Sequence, residues 1–226
     1  MPLELQKIPL KDKISAILMQ RIVDGEIEAK EKLKEAHLAK EFGVSQAPVR
    51  EAIVSLVAKG ILEHIPNVGT HVKSYSSKER IEIYETREAL ELYACRFIRS
   101  GVDILLIKEI FEKMQAAAKA DDVKSLVEYD QFFHELLLKG CDNRTILRTW
   151  REQYAKSAVA HVIEEFNTTL ENIVSLHFPI MEAIEELSIE KCTKAIEYHY
   201  KTIIKNISNP IKNNLNGAKK IKKTIA

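Results

Sequence analysis

Glycine is scarce in this chain of 226 residues, and it is scarcest in the second half. The sequence has 7 glycines and 6 prolines, and between Gly101 and Gly217 the sole glycine is Gly140. Sheets and tight turns need such residues to interrupt the backbone. The shortage therefore predicts a mostly α-helical protein. Its hydrophobic content of 46% is enough to build the cores of one or two domains.

Paired cysteines and long apolar runs are also missing. The three cysteines, Cys95, Cys141 and Cys192, have no C-x-x-C spacing. They fit neither a disulfide framework nor a cysteine zinc site, and they indicate a reducing compartment. The first ten residues lack a basic region followed by an apolar stretch, and no run of about 18 apolar residues is free of charge. We therefore expect a cytoplasmic protein that has no signal peptide and does not enter a membrane.

An overall charge of one sign is absent, because 34 Lys and Arg residues balance 33 Asp and Glu residues to give +1. Along the chain the charge is uneven: +1 for residues 1–75, −5 for residues 76–208 and +5 for residues 209–226. The last segment has five lysines and no aromatic residue, so we predict a flexible basic tail, either a solvated end or an extra phosphate contact. The neutral total does not argue against a nucleic-acid partner.

The first 75 residues have the pattern of a winged helix-turn-helix. Apolar residues three and four positions apart predict three helices, which end at Gly25, Gly43 and Gly60. Two alternating segments around a Pro-Asn-Val-Gly turn then predict a two-stranded hairpin. We assign this domain to residues 8–75.

The motifs of this domain resemble a known family. They are Leu-Lys-Glu-Ala-His-Leu-Ala at residues 33–39 and Gly-Val-Ser-Gln-Ala-Pro-Val-Arg-Glu-Ala at residues 43–52, followed by Gly60 and Gly69. The pattern resembles the DNA-binding domain of the GntR family of bacterial transcriptional regulators. The resemblance implies a regulator, not an enzyme, that binds a double-stranded DNA operator. Because one winged helix makes few contacts, we expect a homodimer on a pseudo-palindromic operator.

We assign DNA contacts to the first turn of the third helix and to the hairpin, since a recognition helix presents its first turn to base edges in the major groove. The predicted contacts are Lys34, Ser45, Gln46, Ala47, Arg50, Gly69 and Thr70. Arg50 is long enough to reach a phosphate or a guanine edge. The GntR family usually has arginine where Gln46 stands. Because glutamine pairs with adenine, Gln46 either favours an A·T pair in the operator or merely faces solvent.

Residues 76–208 are predicted to form a six-helix antiparallel bundle, because apolar residues recur at helical spacing and the loops are short. The predicted helices span residues 76–100, 103–120, 122–139, 143–166, 168 or 169 to 187, and 188–207. Pro179 falls within the fifth of them. Because proline disfavours a helix interior, that helix is either kinked there or begins near Pro179.

Polar residues on three of these helices form a candidate metal site. Asp130 and His134 are one turn apart, and His177 and His199 lie among apolar residues on the last two helices. Three imidazoles and one carboxylate suit a divalent metal, with zinc first and nickel, manganese or iron as alternatives. Each histidine could instead be a hydrogen-bonded core residue.

The same positions resemble the FadR-type ligand domain called FCD, which follows the winged helix in one GntR subfamily. The resemblance rests on Asp130-x-x-Phe133-His134 followed by His177 and His199. It implies that the aspartate and the three histidines bind a metal. It also implies that a small organic acid acts as effector by taking the place of water on that metal.

Two further residues are predicted to contact the effector. Arg87 could bind its carboxylate, with an ion pair to a helix acid such as Glu91 as the alternative. Asn143 could also contact the effector, with a role as helix cap as the alternative.

Two other functions compete with an acid-responsive regulator. One is a metal sensor in which the ion is the effector. The other is a metal-dependent hydrolase or oxygenase, for which Glu135 and Tyr198 are the nearby acid–base groups.

Overall fold

The structure is a computed structural model that describes residues 8–163 and 169–208, without the side chains of residues 159–163. It has two compact units. The first runs up to Tyr75 and includes Ala158–Ile163, and the second begins at Ser76. The predicted tail, residues 209–226, lies outside the described residues. Helices make up most of both units, so the predicted mostly α-helical fold class is confirmed.

The first unit contains the predicted winged helix-turn-helix. Its elements are α1 (Leu10–Val23), β1 (Lys32–Leu33), α2 (Glu35–Phe42), α3 (Gln46–Ala58), β2 (Leu62–Ile65) and β3 (Gly69–Val72). The sheet has the order β1-β3-β2, and both pairings are antiparallel. The hairpin β2–β3 was predicted, whereas β1 was not, because two residues are too few to show the alternation of a strand.

A left-handed turn joins α2 to α3. Gly43 ends α2 with φ +65°, a conformation that glycine adopts without steric cost. Helix α3 then buries Val49, Ile53 and Leu56 and leaves its opposite face exposed. Ser45 is the N-cap residue of α3, but its side chain makes no capping hydrogen bond.

The second unit is a bundle of helices. Its helices are α4 (Ser77–Ala94), α5 (Ile104–Lys119), α6 (Val123–Lys139), α7 (Arg144–Ile163, of which Ala158–Ile163 are assigned to the first unit), α8 (Leu170–Ser175), α9 (Phe178–Glu185) and α10 (Ile189–Ser208). Ser76, Asp103 and Asp122 cap α4, α5 and α6 through their side chains. The first predicted helix is shorter than expected, because α4 gives way to a 3₁₀ turn at Cys95–Phe97.

The predicted fifth helix consists of two helices, α8 and α9. His177 occupies the break and is the N-cap residue of α9, and Pro179 follows in its first turn. Proline is tolerated there because the first N–H groups of a helix have no partner within it. The sequence left two alternatives for Pro179, a helix kinked there or a helix that begins near it. The structure shows the second. This break positions His177 at a helix end instead of in a helix interior.

Across residues 8–163 and 169–208, no helix has both the length and the apolar character that crossing a membrane would require.

Candidate functional site

Three histidines meet in the interior of the second unit. They are His134 of α6, His177 at the start of α9 and His199 of α10, and at most 3% of any of them is exposed. One ring nitrogen from each lies within 4.8 Å of the others. Asp130, the fourth predicted ligand, has its Oδ1 3.1 Å from Nε2 of His177 and 3.8 Å from Nε2 of His134. The structure brings these four residues together, and we call them the His–Asp cluster.

Outer hydrogen bonds orient two of the rings. Nδ1 of His134 is 2.7 Å from Oε2 of Glu91, and Nδ1 of His177 is 3.1 Å from the carbonyl oxygen of Ile173. With a proton on each Nδ1, both rings direct the lone pair of Nε2 into the cluster. Such outer partners fix the tautomer of metal-binding histidines in many proteins.

The third histidine offers an unsatisfied nitrogen. Nδ1 of His199 is buried and has no hydrogen-bond partner among the described residues. Burial, reinforced by His177 and His134, lowers the pKa of His199 well below its usual range. His199 is therefore a neutral imidazole near pH 7, which is the form that binds metals.

Asp130 is ionised in this setting. Burial raises its pKa, but the adjacent rings of His177 and His134 and the charge of Arg87 outweigh burial and hold the pKa well below its usual range. One carboxylate and three imidazoles form a donor set that fits a divalent ion, and a buried ring nitrogen without a partner is an atom that such an ion would satisfy.

Glu91 connects the cluster to its surroundings, whereas the sequence pattern predicts it only as a partner of Arg87. The side chain is fully buried, and Oε1 accepts hydrogen bonds from Nε1 of Trp150 at 2.6 Å and from the hydroxyl of Tyr200. Burial raises the pKa of Glu91, but the opposite effect of His134 and Arg87 is larger. The net shift of its pKa is therefore downward. A buried carboxylate therefore accepts three hydrogen bonds from side chains.

Arg87 is a buried cation enclosed by aromatic rings. Its guanidinium carbon lies 4.9 to 5.5 Å from the ring centroids of Tyr84, Trp150, Tyr154 and Tyr200. Nη1 donates to Oγ of Ser157 at 3.0 Å, and Nε is buried without a hydrogen-bond partner among the described residues. No ion pair within 4.0 Å joins Arg87 to Glu91 in the described part of the chain. The arginine thus retains an unused donor.

Asn143 lies on the surface of the second unit, where its Oδ1 accepts hydrogen bonds from the backbone N–H groups of Thr145 and Ile146, both at 3.1 Å. This is the geometry of a helix cap, which was the alternative to effector contact. The role in effector binding stays a prediction.

Replacing Asn143 separates these two roles. Asn143→Ala is expected to reduce the free energy of unfolding by about 1 kcal/mol, because two helix N–H groups lose their acceptor. Asn143→Asp keeps an acceptor oxygen and should retain most of that stability. Urea denaturation and effector titration of both variants provide the measurement. Loss of effector binding in the stable Asp variant would favour a direct contact over a cap.

The acid–base groups of the enzyme alternative are engaged elsewhere. Glu135 accepts two hydrogen bonds from Arg151, at 2.6 and 2.9 Å, and forms an ion pair with Lys139 at 3.0 Å. The Arg151 hydrogen bonds outweigh burial and lower the pKa of Glu135, which keeps it ionised. Tyr198 is 57% exposed, whereas the three histidines of the His–Asp cluster are buried. Neither residue is placed to act as a base at the cluster.

The predicted DNA contacts lie on the surface of the first unit. Lys34, Ser45, Gln46, Ala47 and Arg50 are exposed, and Gly69 and Thr70 are partly exposed. Nε of Arg50 is 2.8 Å from Oε2 of Glu35. Oγ1 of Thr70 is 3.2 Å from Nδ1 of His64.

Two neighbours of these contacts were not predicted, Glu35 and Lys32. A Cβ on Gly69, whose φ is +120°, would lie 2.8 Å from Cε of Lys32, so the lysine lies against the tip of the hairpin. Lys32 lies opposite His71 because β1 pairs with β3. The sequence pattern does not reveal strand β1.

Family models match both parts of the chain. The model described as bacterial regulatory proteins, gntR family, matches residues 10–72, and the model of the FCD domain matches residues 82–202. The second match alone covers more than half of the chain.

Regulators of other bacteria are similar in sequence. A protein of Paenarthrobacter nicotinovorans named "Probable D-xylose utilization operon transcriptional repressor" is 25% identical over 197 residues, which are 86% of this chain and 87% of that protein. The gluconate operon transcriptional repressor of Bacillus licheniformis is 27% identical over 197 residues, 83% of this chain and 81% of that repressor. The corresponding repressor of Bacillus subtilis is 32% identical over 136 residues, 59% of this chain and 56% of that repressor.

Solved structures share the fold. A GntR transcriptional regulator from Rhodococcus sp. RHA1 superposes with a TM-score of 0.80 at 17% identity, over 89% of this chain and 99% of that one. E. coli McbR/YncC gives a TM-score of 0.77 at 19% identity, over 90% of this chain and 99% of that one. At such identities the likeness shows the fold alone. With its winged helix-turn-helix and FCD domain, this chain belongs to the GntR family, and it is a DNA-binding transcriptional regulator and not an enzyme.

Proposed function

We propose that this regulator changes its operator affinity when a small carboxylate binds at a metal in the FCD domain. Residues 8–75 bind DNA, residues 76–208 bind the effector and form the homodimer, and the protein acts in the cytoplasm on a pseudo-palindromic operator. The observation that carries the proposal is the His–Asp cluster, with its three buried histidines, in the same unit as Arg87, whose Nε has no hydrogen-bond partner among the described residues.

The donor chemistry of the cluster supports a resident metal. Asp130 offers an anionic oxygen, and His134, His177 and His199 offer ring nitrogens, a set for which zinc is the first candidate and nickel, manganese or iron the alternatives. When bound, such an ion supplies a Lewis-acid position that a carboxylate oxygen can occupy. Glu91 and the Ile173 carbonyl keep two of the rings in the orientation that this requires.

A carboxylate is the effector class that Arg87 fits. A guanidinium that is buried among aromatic rings is poorly solvated, so an anion that reaches it gains a charge-assisted hydrogen bond. Two relatives are named after a gluconate operon. Gluconate is a carboxylate with several hydroxyl groups, so sugar acids belong in the set of test ligands beside simple dicarboxylates.

The test is a mobility-shift titration of an operator selected by the protein itself. We expect metal-loaded protein to change its operator affinity at least fivefold with one or more organic acids, because allosteric coupling typically amounts to about 5- to 150-fold. By thermodynamic reciprocity, operator DNA must change the affinity for that acid by the same factor. Arg87→Lys tests the proposed carboxylate contact, since it keeps the positive charge of the side chain and loses the planar fork of the guanidinium.

The same titration separates this function from the metal sensor. If metal alone changes operator affinity and no acid adds to the change, the ion is the effector. If neither metal nor any acid changes operator affinity, the proposed control mechanism is wrong.

A further inference from the structure

An arginine–carboxylate pair occupies the surface of the first unit that is predicted to contact DNA. Arg50, the fifth residue of α3, donates its Nε–H to Oε2 of Glu35 over 2.8 Å. Glu35 is the first residue of α2, so the pair connects the recognition helix to the preceding helix. Solvent still reaches 61% of the Arg50 side chain, compared with 32% of Glu35.

The pairing at Nε determines which donors of Arg50 remain available. Arginine has five N–H donors in a planar fork, and Nε accounts for only one of them. Within residues 8–163 and 169–208, the terminal nitrogens of Arg50 make no hydrogen bond to another residue. One N–H from each terminal nitrogen can therefore meet O6 and N7 of a guanine, the commonest specific contact in the major groove.

We propose that Glu35 is a positioning residue for base recognition. By holding Nε of Arg50, it directs the two terminal nitrogens toward one guanine and so determines the specificity at one operator position. This inference rests on the DNA-binding function proposed above. It adds to that function a residue that neither the sequence motif nor the family match assigns.

The negative charge of Glu35 indicates that this residue contributes to selectivity among DNA sequences and not to affinity for DNA. A carboxylate beside the DNA-facing surface repels phosphates and offsets one cation, so it weakens binding to every sequence. A free arginine at this place would bind any phosphate within reach, because phosphate contacts carry no sequence information. Restricting Arg50 to one geometry removes those contacts and leaves the guanine contact.

The sequence of α3 makes this arginine important. Arg50 is the sole arginine between Gln46 and Ala58. Recognition of guanine by this helix therefore depends on Arg50. The N-terminus of α2 favours the negative charge of Glu35, so a carboxylate acceptor is stabilised at this position.

The experiment compares Glu35→Gln with a matched control in the same helix. Glu41, near the other end of α2, pairs with Arg21 at 2.6 Å. Glu41→Gln thus removes the same charge and the same kind of pair away from Arg50. The full-length wild type first selects an operator from random duplexes. Fluorescence anisotropy then gives the affinity of each variant for that operator and for a scrambled duplex.

We expect Glu35→Gln to lower the ratio of operator affinity to scrambled-duplex affinity at least tenfold, since this is the scale of discrimination by one bidentate contact. The preference for a G·C pair should disappear at the position whose preference Arg50→Ala also abolishes. Glu41→Gln should keep the ratio within about twofold, as expected for an exposed ion pair.

Two results would overturn the positioning role. One is an equal gain of affinity for both duplexes by Glu35→Gln with the guanine preference retained, which would make Glu35 only a source of repulsion. The other is an effect of Glu35→Gln on base preference in the Arg50→Ala background, because Glu35 would then act without Arg50. If the wild type selects no sequence, the proposed function itself fails before any variant is compared.

Discussion

Glu91→Ala is expected to reduce the free energy of unfolding of the FCD domain by about 3–5 kcal/mol, the usual result of removing one partner from a buried charged network. The substitution removes the acceptor for His134, Trp150 and Tyr200 at once. It also removes the nearby negative charge that raises the pKa of buried Arg87. Three buried donors are then left without an acceptor, and the buried cation loses one of the negative charges that compensate it.

The single tryptophan makes the measurement specific to this network. Trp150 donates directly to Glu91 and stacks on Tyr154, so its fluorescence during urea denaturation reports on this part of the bundle. Glu91→Gln keeps the shape and an acceptor oxygen, and we expect a loss of roughly half the size, since one neutral acceptor replaces a charged one.

An exposed glutamate provides the control for Glu91→Ala. Glu190 pairs with Lys194, and 80% of its side chain is exposed. Glu190→Ala should change the stability by no more than about 0.5 kcal/mol. If Glu91→Ala were as mild as this control, the network would not contribute to the stability of the fold.

The predictable part of the fold is the part that local patterns encode. Glycines at the ends of α2 and α3, capping residues before α4, α5 and α6, and apolar periodicity placed nearly every helix correctly. Strand β1 was missed because its two residues are held by pairing with β3, a contact distant in sequence. The break before α9 was predicted only as one of two alternatives, because the choice depends on how the bundle packs around His177.

The candidate metal site was predictable because its four residues belong to a recognisable pattern. Glu91, which supports His134, was not predictable as part of the site. Helix α4 carries glutamates at residues 79, 82, 85, 88 and 91. Only Glu91 of these is fully buried, and no spacing rule separates it from the others. Its partners Trp150 and Tyr200 come from α7 and α10, so tertiary packing alone determines which glutamate faces inward.

The role of Glu35 was also not predictable from the sequence, because it too depends on tertiary packing. Helical periodicity places Arg50 directly on the exposed face of the recognition helix. It could not show that a residue 15 positions earlier would occupy Nε. Pairs of exposed charges depend on the turn between two helices, which sets the distance between side chains.

His177→Ala is expected to weaken binding of the proposed metal at least 100-fold, because loss of an outer partner alone costs about 10- to 100-fold and a ligand contributes more. His177 is suited to this test because its position at the start of α9 leaves the interiors of α8 and α9 unchanged. The measurement is the metal content after dialysis, together with competition against a chelating dye. Glu91→Gln should give an intermediate loss, since it weakens the support of His134 and keeps all four ligands.

A histidine outside the cluster provides the control for His177→Ala. His37 lies exposed on α2, and His37→Ala should retain the metal content of the wild type. Thermal unfolding followed by Trp150 gives a second readout, because a metal present at 100 times its Kd stabilises the native state by about 2.7 kcal/mol. Added zinc should therefore raise the Tm of the wild type and of His37→Ala, and it should leave the Tm of His177→Ala almost unchanged. Equal stabilisation of all three proteins would show that the metal binds elsewhere, and the role proposed for the His–Asp cluster would then be wrong.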